Sequence, residues 1–560
     1  MLKLCAHGIW RISSSMEVTG DAKRVLAAGA EAASSKRART GPGSPDGELA
    51  AWTAGLELAE EMVPLLGKLY RKHNVVATVF GHSLQNQGPI GILRIHDRAR
   101  QQYDGGAGIV QTHALLVALA DLDVGACRVD LGKIAAAFAA GKAGDSSGGG
   151  AGAAATAAAA ASGGGTGLAE RAFLESELRS VLGSNRAPLL SDPHGQDVVL
   201  FGFGRIGRLL ARVLVGKTGG GDKLRLRAIV VRPTKGGPGA DLEKRATLLR
   251  IDSVHGAFDG IVATDAARNA LIVNGNVVQL LYAAGPEAID YTAHGIRNAI
   301  VVDNTGVFRD RAALSRHLAA PGVAKVVLTA PSASEPAGSA TKAVPNIVMG
   351  VNESAIDPSE TIVAAASCTT NATCPVLKAL NDRFGIVSGH IETVHSFTND
   401  QNLIDNFHPK ARRGRSAALN MVITETGAAA AVGKAMPELA GKLTGNAIRV
   451  PTPNVSMAIL VLQLREATSA DGINEFLRQT SLQGPLQHQI DFSASPEMVS
   501  SDFVGSAAAG VVDSVATIVS AADPTRVNLY VWYDNEFGYS SQVIRLTQLL
   551  GGVVHPKFPQ

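Results

Sequence analysis

The sequence predicts an α/β protein: a parallel-sheet domain followed by a largely antiparallel α+β domain, both preceded by a mostly helical N-terminal extension. Three observations predict it. From Asp197 onward, short apolar runs alternate with amphipathic helical patterns, and that alternation implies a parallel sheet. Beyond residue 385 longer strand runs appear, such as Ser456–Leu464 and Val527–Tyr533, which suit antiparallel pairing. Before residue 140, leucines recur at near-helical spacing. A chain of 560 residues has room for about three such domains.

Taken in order, residues 1–50 carry no sustained hydrophobic period, hold Lys36, Arg37 and Arg39, and end in a Gly/Pro/Ser stretch at 41–47; they read as a disordered leader. Residues 51–140 read as a helical extension, with Leu56, Leu58, Met62, Leu65, Leu66 and Leu69 at near-helical spacing. Pro64 falls inside that run and is expected to kink or split it. A second helix is expected from about Thr112 to Leu122. His73, His82 and His113 lie here without metal-ligand spacing and read as surface or core histidines. Residues 141–167 hold only Gly, Ala, Ser and Thr apart from Lys142 and Asp145, which marks a linker. Residues 168–196 form a helical connector with Leu168, Phe173, Leu174, Leu178 and Leu182.

Composition excludes several classes. Lys+Arg 52 against Asp+Glu 49 leaves a net charge of +3, too little for a dedicated nucleic-acid-binding surface. No long uninterrupted run of large apolar residues is present, so no membrane span is expected. Cys5, Cys127, Cys368 and Cys374 are too few and too scattered for a disulfide framework, and without a CxxC pair no metal site is expected. The expected compartment is the cytoplasm. An organelle, plastid or mitochondrion, is the alternative, against which Glu17, Asp21 and Glu31 count, since presequences are poor in acids.

Val198 to Phe201 form a short apolar run that leads at once into Gly202-Phe203-Gly204-Arg205-Ile206-Gly207 and then an amphipathic helix. This is G-x-G-x-x-G in its required strand–turn–helix context, a dinucleotide-binding (Rossmann) fingerprint. Gly202 permits the tight turn, Gly204 lets a pyrophosphate approach the backbone, and Gly207 lets helix and strand pack closely. The N–H groups of Arg205 and Ile206 then face the phosphates from a helix N-terminus. The second strand, Leu224 to Val231, runs into Arg232 where an acid usually holds the ribose hydroxyls. A guanidinium there pairs with a 2′-phosphate, so Arg232 tilts the cofactor toward NADP or toward use of both NAD and NADP. Ala299–Asp303 and Lys325–Thr329 read as later strands of the same sheet.

Cys368 lies where the apolar run Ile362 to Ala366 meets a helical pattern. A thiol at a helix N-terminus sits at the positive end of the dipole, and the expectation is a lowered pKa. Cys374, inside the helix, reads as a structural thiol. His395-Ser396-Phe397-Thr398-Asn399-Asp400 offers a histidine, hydroxyls and an acid; Arg412-Arg413-Gly414-Arg415, Thr424-Glu425-Thr426-Gly427 and Arg449 are parts of anion sites, and an exposed basic loop is the competing reading of the three clustered arginines.

From Asp197 to the C-terminus the sequence resembles glyceraldehyde-3-phosphate dehydrogenases. The resemblance is carried by Gly202–Arg208, Ser367-Cys368-Thr369-Thr370-Asn371, the run Thr444 to Val455, and Trp532-Tyr533-Asp534-Asn535-Glu536-Phe537-Gly538-Tyr539. It implies a Rossmann NAD(P)-binding domain over 197–366, completed by a C-terminal helix at 536–552, an α+β catalytic domain over 367–535, and a homotetramer. It implies Cys368 as nucleophile and His395 as base. It assigns Thr398, Asp400 and Arg449 to the substrate phosphate, and Ser367, Thr369, Thr426 and Gly427, with Arg415, to inorganic phosphate. Asn535 falls on the residue that holds the nicotinamide carboxamide, and Thr329 on a cofactor-binding position. The implied activity is phosphorylating oxidation of glyceraldehyde 3-phosphate to 1,3-bisphosphoglycerate through a cysteine thioester, with glyceraldehyde 3-phosphate and inorganic phosphate as the small-molecule partners.

Four residues depart from the family pattern. Phe201 stands where asparagine is usual, Arg232 replaces the ribose-binding acid, and Asn406-Phe407 replaces a Leu-Pro pair that often accompanies strict NAD use. Residues before about 190 lie outside the core family and look like the extension of a long-form subgroup. The alternatives are erythrose-4-phosphate dehydrogenase, which hydrolyses the thioester, and a non-catalytic binding protein on the same scaffold.

Overall fold

The computed structural model of the chain describes residues 45–102, 107–145, 166–183, 195–217, 224–232, 234, 236–237, 239–333, 342–553 and 556–559. Contacts divide the chain at Leu58. Of the first unit only Pro45 to Leu58 is described, as the start of helix α1 (Pro45–Lys68). All that follows concerns the second unit. The leader over residues 1–44 and the linker over 146–165 lie outside the described residues.

The extension is mostly helical, with differences from the sequence reading. Residues 45–50 are helix rather than leader. α1 is not split at Pro64; it runs on to Lys68 and passes into a π-helical turn, Leu69–His73, closed by Asn74 in the left-handed region. Then come β1 (Val75–Val79), β2 (His82–Ser83), α2 (Pro89–Gln102), α3 (Ile109–Ala120), β3 (Cys127–Asp130), α4 (Leu131–Asp145) and α5 (Thr166–Glu177). Both ends of the expected linker are therefore helical, and the three strands were not expected. β1 is apolar on both faces because helices cover it, and β1 and β3 run parallel. Asp130 ends β3 and accepts from Phe80 N, Gly81 N and Lys133 N at 2.9, 2.6 and 3.0 Å, pinning the sheet to the start of α4.

The parallel-sheet domain follows. Its strands are β4 (Gln196–Phe201), β5 (Leu224–Val231), the short hairpin β6 (Ile251–Asp252) and β7 (Gly256–Ala257), then β8 (Val262–Asp265), β9 (Ala270–Val273), β10 (Asn276–Tyr282), β11 (Ala299–Asp303), β12 (Val323–Leu328) and β13 (Ile362–Ala364). Its helices are α6 (Arg205–Lys217), α7 (Leu242–Arg250) and α8 (Arg311–Leu318). The main sheet has the order β13-β12-β11-β4-β5-β10-β9-β8, parallel from β13 to β10 and antiparallel beyond it. β4 is flanked by β11 and β5, so strand order reverses there, which is where an open α/β sheet binds its ligand.

α9 (Cys368–Phe384) opens the second domain and packs on a mixed sheet. That sheet joins β14 (Ile386–Ser396), β15 (Val422–Thr424), β16 (Leu443–Val450), β17 (Ser456–Leu464), β18 (Ile490–Ser493), β19 (Gly510–Asp513), β20 (Ile518–Val519) and β21 (Arg526–Tyr533) in the order β15-β16-β14-β17-β21-β19-β18, with β20 against β21. Most pairs are antiparallel; β14 with β16 and β18 with β19 are parallel. α10 (Ala428–Ala435) and α11 (Ala470–Leu482) complete the domain, and α12 (Phe537–Leu550) returns to pack on α6. The chain then ends in β22 (Lys557–Phe558), which pairs with β3 of the extension. One continuous apolar core runs from Ala59 and Met62 through the extension into Leu377, Leu460 and Leu529 of the second domain.

The turn after β4 leaves no room for a side chain at Gly207. A Cβ on Gly207 would stand 2.5 Å from the carbonyl oxygen of Gly202, a backbone atom that cannot swing aside. Gly207→Ala should cost about 1–3 kcal/mol, as other overpacking does. Urea denaturation followed by fluorescence checks this; a variant as stable as the parent would mean that the turn yields.

Candidate active site

The fingerprint residues close the carboxyl edge of the parallel sheet. Gly202 has φ 101, open to glycine, and a Cβ on Gly204 would meet nothing within 4 Å. That open backbone faces a cavity of about 490 Å³ that also takes in Phe201, Arg232, Thr305 and Phe308. A glycine cradle at a helix N-terminus, beside a cavity of this size, fits a dinucleotide. Arg232 is exposed at the end of β5, and Arg245 lines the same cavity, held by Asp241 at 2.5 Å. Thr329 follows β12 and bonds Asp303 O through both its N–H and its hydroxyl, at 3.0 and 2.9 Å. Ile206 sits in the first turn of α6.

Arg205 does more than offer a backbone N–H. Its side chain pairs with Asp252 of β6 and with Glu536 in the turn before α12. His255 joins them, with Nε2 2.9 Å from Asp534. Burial would push Asp252 up, but the N–H groups of His255 and Val254, together with Arg205, hold it at about 2. The network fixes the turn that carries Asn535, whose buried amide oxygen accepts from Ser456 Oγ at 2.8 Å. None of these acids was singled out in the sequence, since they meet only in the fold.

The thiol stands where the strand-to-helix reading put it. Ser367 caps α9, accepting from Thr370 N at 3.1 Å, and Cys368 is the first helical residue. Cys368 Sγ lies 3.5 Å from His395 Nε2. His395 comes from the end of β14, directly opposite Arg449 on parallel β16. Its Nδ1 lies 2.7 Å from Ser396 O, and the tautomer that donates there leaves Nε2 as the acceptor facing sulfur. Arg449 Nη1 lies 2.8 Å from the same Nδ1 and donates to Ser396 O at 3.0 Å, while its buried Nε has no partner among the described residues. Thr369 is bonded to Tyr533 Oη at 2.9 Å.

The backbone is strained on both sides of this group. Ala366 has φ 54 and Val455 φ 64, the latter unusual for a β-branched residue. Tyr539 Oη holds Ala366 O at 3.0 Å, and Ser396 Oγ holds Val455 O at 2.7 Å. Such residues cost about 1–3 kcal/mol each and persist where their surroundings fix them.

Electrostatics differ from the helix-dipole expectation. Burial pushes the Cys368 thiol up, although Arg449 and the Thr369 N–H oppose it. Burial, with Arg449 next, pulls His395 down to about 3. Neither group carries charge readily alone. Transfer of the S–H proton to Nε2 creates both charges in contact, so the two ionise together.

The remaining expected residues are spread more widely. Thr398 follows β14, and Asp400 is engaged by Arg413. Of the clustered arginines, Arg413 is the buried one; it also donates to Thr424 Oγ1 and adds to the positive field at His395. Arg415 is exposed and paired with Asp405 at 2.8 Å, so it does not join the group as expected. Thr426 and Gly427 precede α10, with Thr426 Oγ1 accepting from Ala428 N and open space beside Gly427. Among the described residues no hydrogen bond ties them to Cys368, but β15 brings Val422 opposite Arg449. Cys374 is fully buried and its thiol is pushed up.

Two family models match this chain. One describes the NAD binding domain of glyceraldehyde 3-phosphate dehydrogenase and covers residues 196–311; the other describes its C-terminal domain and covers residues 367–535. The chain belongs to the glyceraldehyde-3-phosphate dehydrogenase family. It is thus an oxidoreductase with a Rossmann domain of the NAD-binding type. A glyceraldehyde-3-phosphate dehydrogenase-like protein of Pseudomonas aeruginosa is 53% identical over 501 residues, 89% of this chain and 100% of that protein, so the likeness reaches well into the extension. Glyceraldehyde-3-phosphate dehydrogenase 1 of Bacillus subtilis is 39% identical over 62% of this chain and 95% of its own length. The chloroplastic dehydrogenase A of Zea mays is 39% identical over 63% of this chain and 81% of its own. Among the described residues no helix is long and apolar enough to cross a membrane.

Iodoacetamide should label Cys368 well before Cys127 or Cys374, both of which are buried. His395→Asn removes the proton acceptor and leaves a thiolate that burial opposes, so the alkylation profile should move to higher pH. Stopped-time labelling with peptide mass mapping reads both effects. Cys374 reacting first, or a profile unmoved in the variant, would count against the pair.

Proposed function

We propose that this dehydrogenase oxidises glyceraldehyde 3-phosphate to 1,3-bisphosphoglycerate through a thioester on Cys368, using NAD or NADP and inorganic phosphate. The observation that carries the proposal is the contact of Cys368 Sγ with His395 Nε2 at 3.5 Å, beside a guanidinium whose Nε is buried and unpartnered. His395 takes the thiol proton as sulfur adds to the aldehyde carbon and passes it to the carbonyl oxygen, giving the hemithioacetal. The neutral imidazole then removes that hydroxyl proton as hydride leaves the carbon and the C=O bond of the thioester forms. A bound nicotinamide dinucleotide supplies the hydride acceptor, with Gly202, Gly204, Gly207 and the N–H groups of Arg205 and Ile206 at its pyrophosphate, Thr329 along it and Asn535 at its carboxamide. Phosphate attacks the thioester carbon and the C–S bond breaks, returning the sulfur to Cys368.

Arg449 and Thr398 hold the substrate's own phosphate, and Arg449's free Nε supports this role. An anion there offsets the positive field that lowers His395, so substrate binding makes the base stronger. Asp400 contributes through Arg413, which it engages. Ser367, Thr369, Thr426 and Gly427 serve inorganic phosphate; Arg415 is the weakest member, being exposed and paired elsewhere. Exposed apolar side chains in one segment, Leu403, Ile404, Phe407, Leu419 and Met421, support assembly as a homotetramer. A cytoplasmic location is the matching compartment, with a plastid as the alternative that the chloroplastic relatives keep open.

Cys368→Ser should abolish turnover while NAD binding persists, because a hydroxyl is far less ionised than a thiol. Arg449→Leu should raise KM for glyceraldehyde 3-phosphate and lower kcat together, since remote binding energy orients the reacting carbon. Steady-state assays with and without phosphate check both; turnover independent of phosphate would point to thioester hydrolysis instead.

Arg232 supports acceptance of NADP, because no carboxylate repels a 2′-phosphate at the end of β5. A charge-assisted bond there is worth about 1.5–3 kcal/mol before salt screening. Arg232→Asp should therefore shift kcat/KM toward NAD by about tenfold or more. Wild-type enzyme with no NADP turnover, together with an unchanged variant, would overturn this.

A further inference from the structure

A second cavity lies away from Cys368, where the extension meets the two dehydrogenase domains. It measures about 890 Å³, within the range of small-molecule sites and far more than a lone inorganic ion fills. Its walls come from the extension's sheet, from the segment Ser481–Asp491, from helices α6 and α12, and from β22.

One end of this cavity is cationic. Arg128 of β3, Lys133 of α4, Arg545 of α12 and Lys557 of β22 all face it, and all four lie near enough to His488 to push its imidazole down, after burial. Lys133 is buried, with its ammonium donating to Ser481 O at 2.7 Å and to Gln487 Oε1 at 3.2 Å. Arg545 donates to His488 O, and burial lowers it to about 9. Three acids, Asp130, Asp491 and Asp259, line the same cavity, the first two of them close to Lys133. Asp130 is already engaged by three backbone N–H groups. His488 Nε2 is buried and has no hydrogen-bond partner among the described residues. Four cations gathered about a buried imidazole at the wall of a cavity suit an anionic group. The rest of the wall mixes polar side chains, among them Gln85, Asn86 and Gln548, with the aromatic rings of Phe80, Phe258, Phe537 and Phe558.

We propose that this cavity is a second ligand site, separate from the catalytic centre, that takes an organic phosphate of nucleotide size. The phosphate oxygens sit against His488, Lys557, Arg128 and Arg545, and the organic part lies along the aromatic wall. Because the four cations come from the extension, helix α12 and the C-terminal strand, the site exists only in chains that carry the extension.

The test uses the full chain saturated with NAD, so that the dinucleotide site is filled, and titrates ATP by calorimetry. Saturable binding is expected, weakened tenfold or more in the double variant His488→Gln, Lys557→Gln and unchanged in Arg449→Gln. Hydrogen exchange on the wild-type protein gives a second reading that needs no variant: ATP should slow exchange at 127–133 and 486–491. The proposal is overturned if ATP fails to bind the NAD-saturated protein, if the double variant binds as tightly as the parent, if Arg449→Gln abolishes binding, or if neither segment gains protection.

Discussion

The parallel pairing of β14 with β16 is the constraint on which the catalytic group depends. It sets His395 opposite Arg449, and β17 on the other flank keeps β14 in the sheet interior. A slip of one residue would turn both side chains to the other face and leave Cys368 without its acceptor. Cys368 reaches the same point from a different element, the first turn of α9, and two strained residues hold the approach. Ala366 and Val455 keep left-handed backbones because Tyr539 and Ser396 bond their carbonyls. The sheet fixes the base and the arginine, and the strained turns fix the sulfur against them.

A second set of interactions joins the two dehydrogenase domains at the cofactor edge. Arg205 at the start of α6 is paired with Asp252 and Glu536, and His255 with Asp534. Loss of Arg205 would leave the carboxylates of Asp252 and Glu536 without their shared cation, and breaking such a buried pair is destabilising. Charges at this depth contribute more to geometry than to net stability. They tie the glycine turn to the turn bearing Asn535, so both ends of an extended dinucleotide are positioned by one network.

The extension is bound into the same molecule rather than appended to it. Its sheet is completed by β22 from the far end of the chain, and Lys133 is tied to the second domain through Ser481 and Gln487. Gln487 in turn donates to Pro559 O. A core shared with the second domain gives the extension a buried face that its own helices could not close.

What the sequence by itself determined is local. The glycine turn at Gly202–Gly207, the thiol at the first turn of α9, and strands such as Leu224–Val231 and Ser456–Leu464 are legible because φ preference, capping and side-chain period act over a few residues. What only the tertiary structure decided depends on groups far apart in the chain. Nothing in Arg412-Arg413-Gly414-Arg415 says which arginine turns inward; Asp400 and Thr424 choose Arg413 by offering it partners. The dipole at the head of α9 favours a thiolate, yet burial, which no local pattern encodes, pushes the thiol the other way and makes its ionisation depend on His395. The extension's strands were hidden for the same reason, since β3 finds one of its partners in β22 at the other end of the chain. Backbone preference is a property of neighbours in sequence, whereas burial and electric field are sums over neighbours in space.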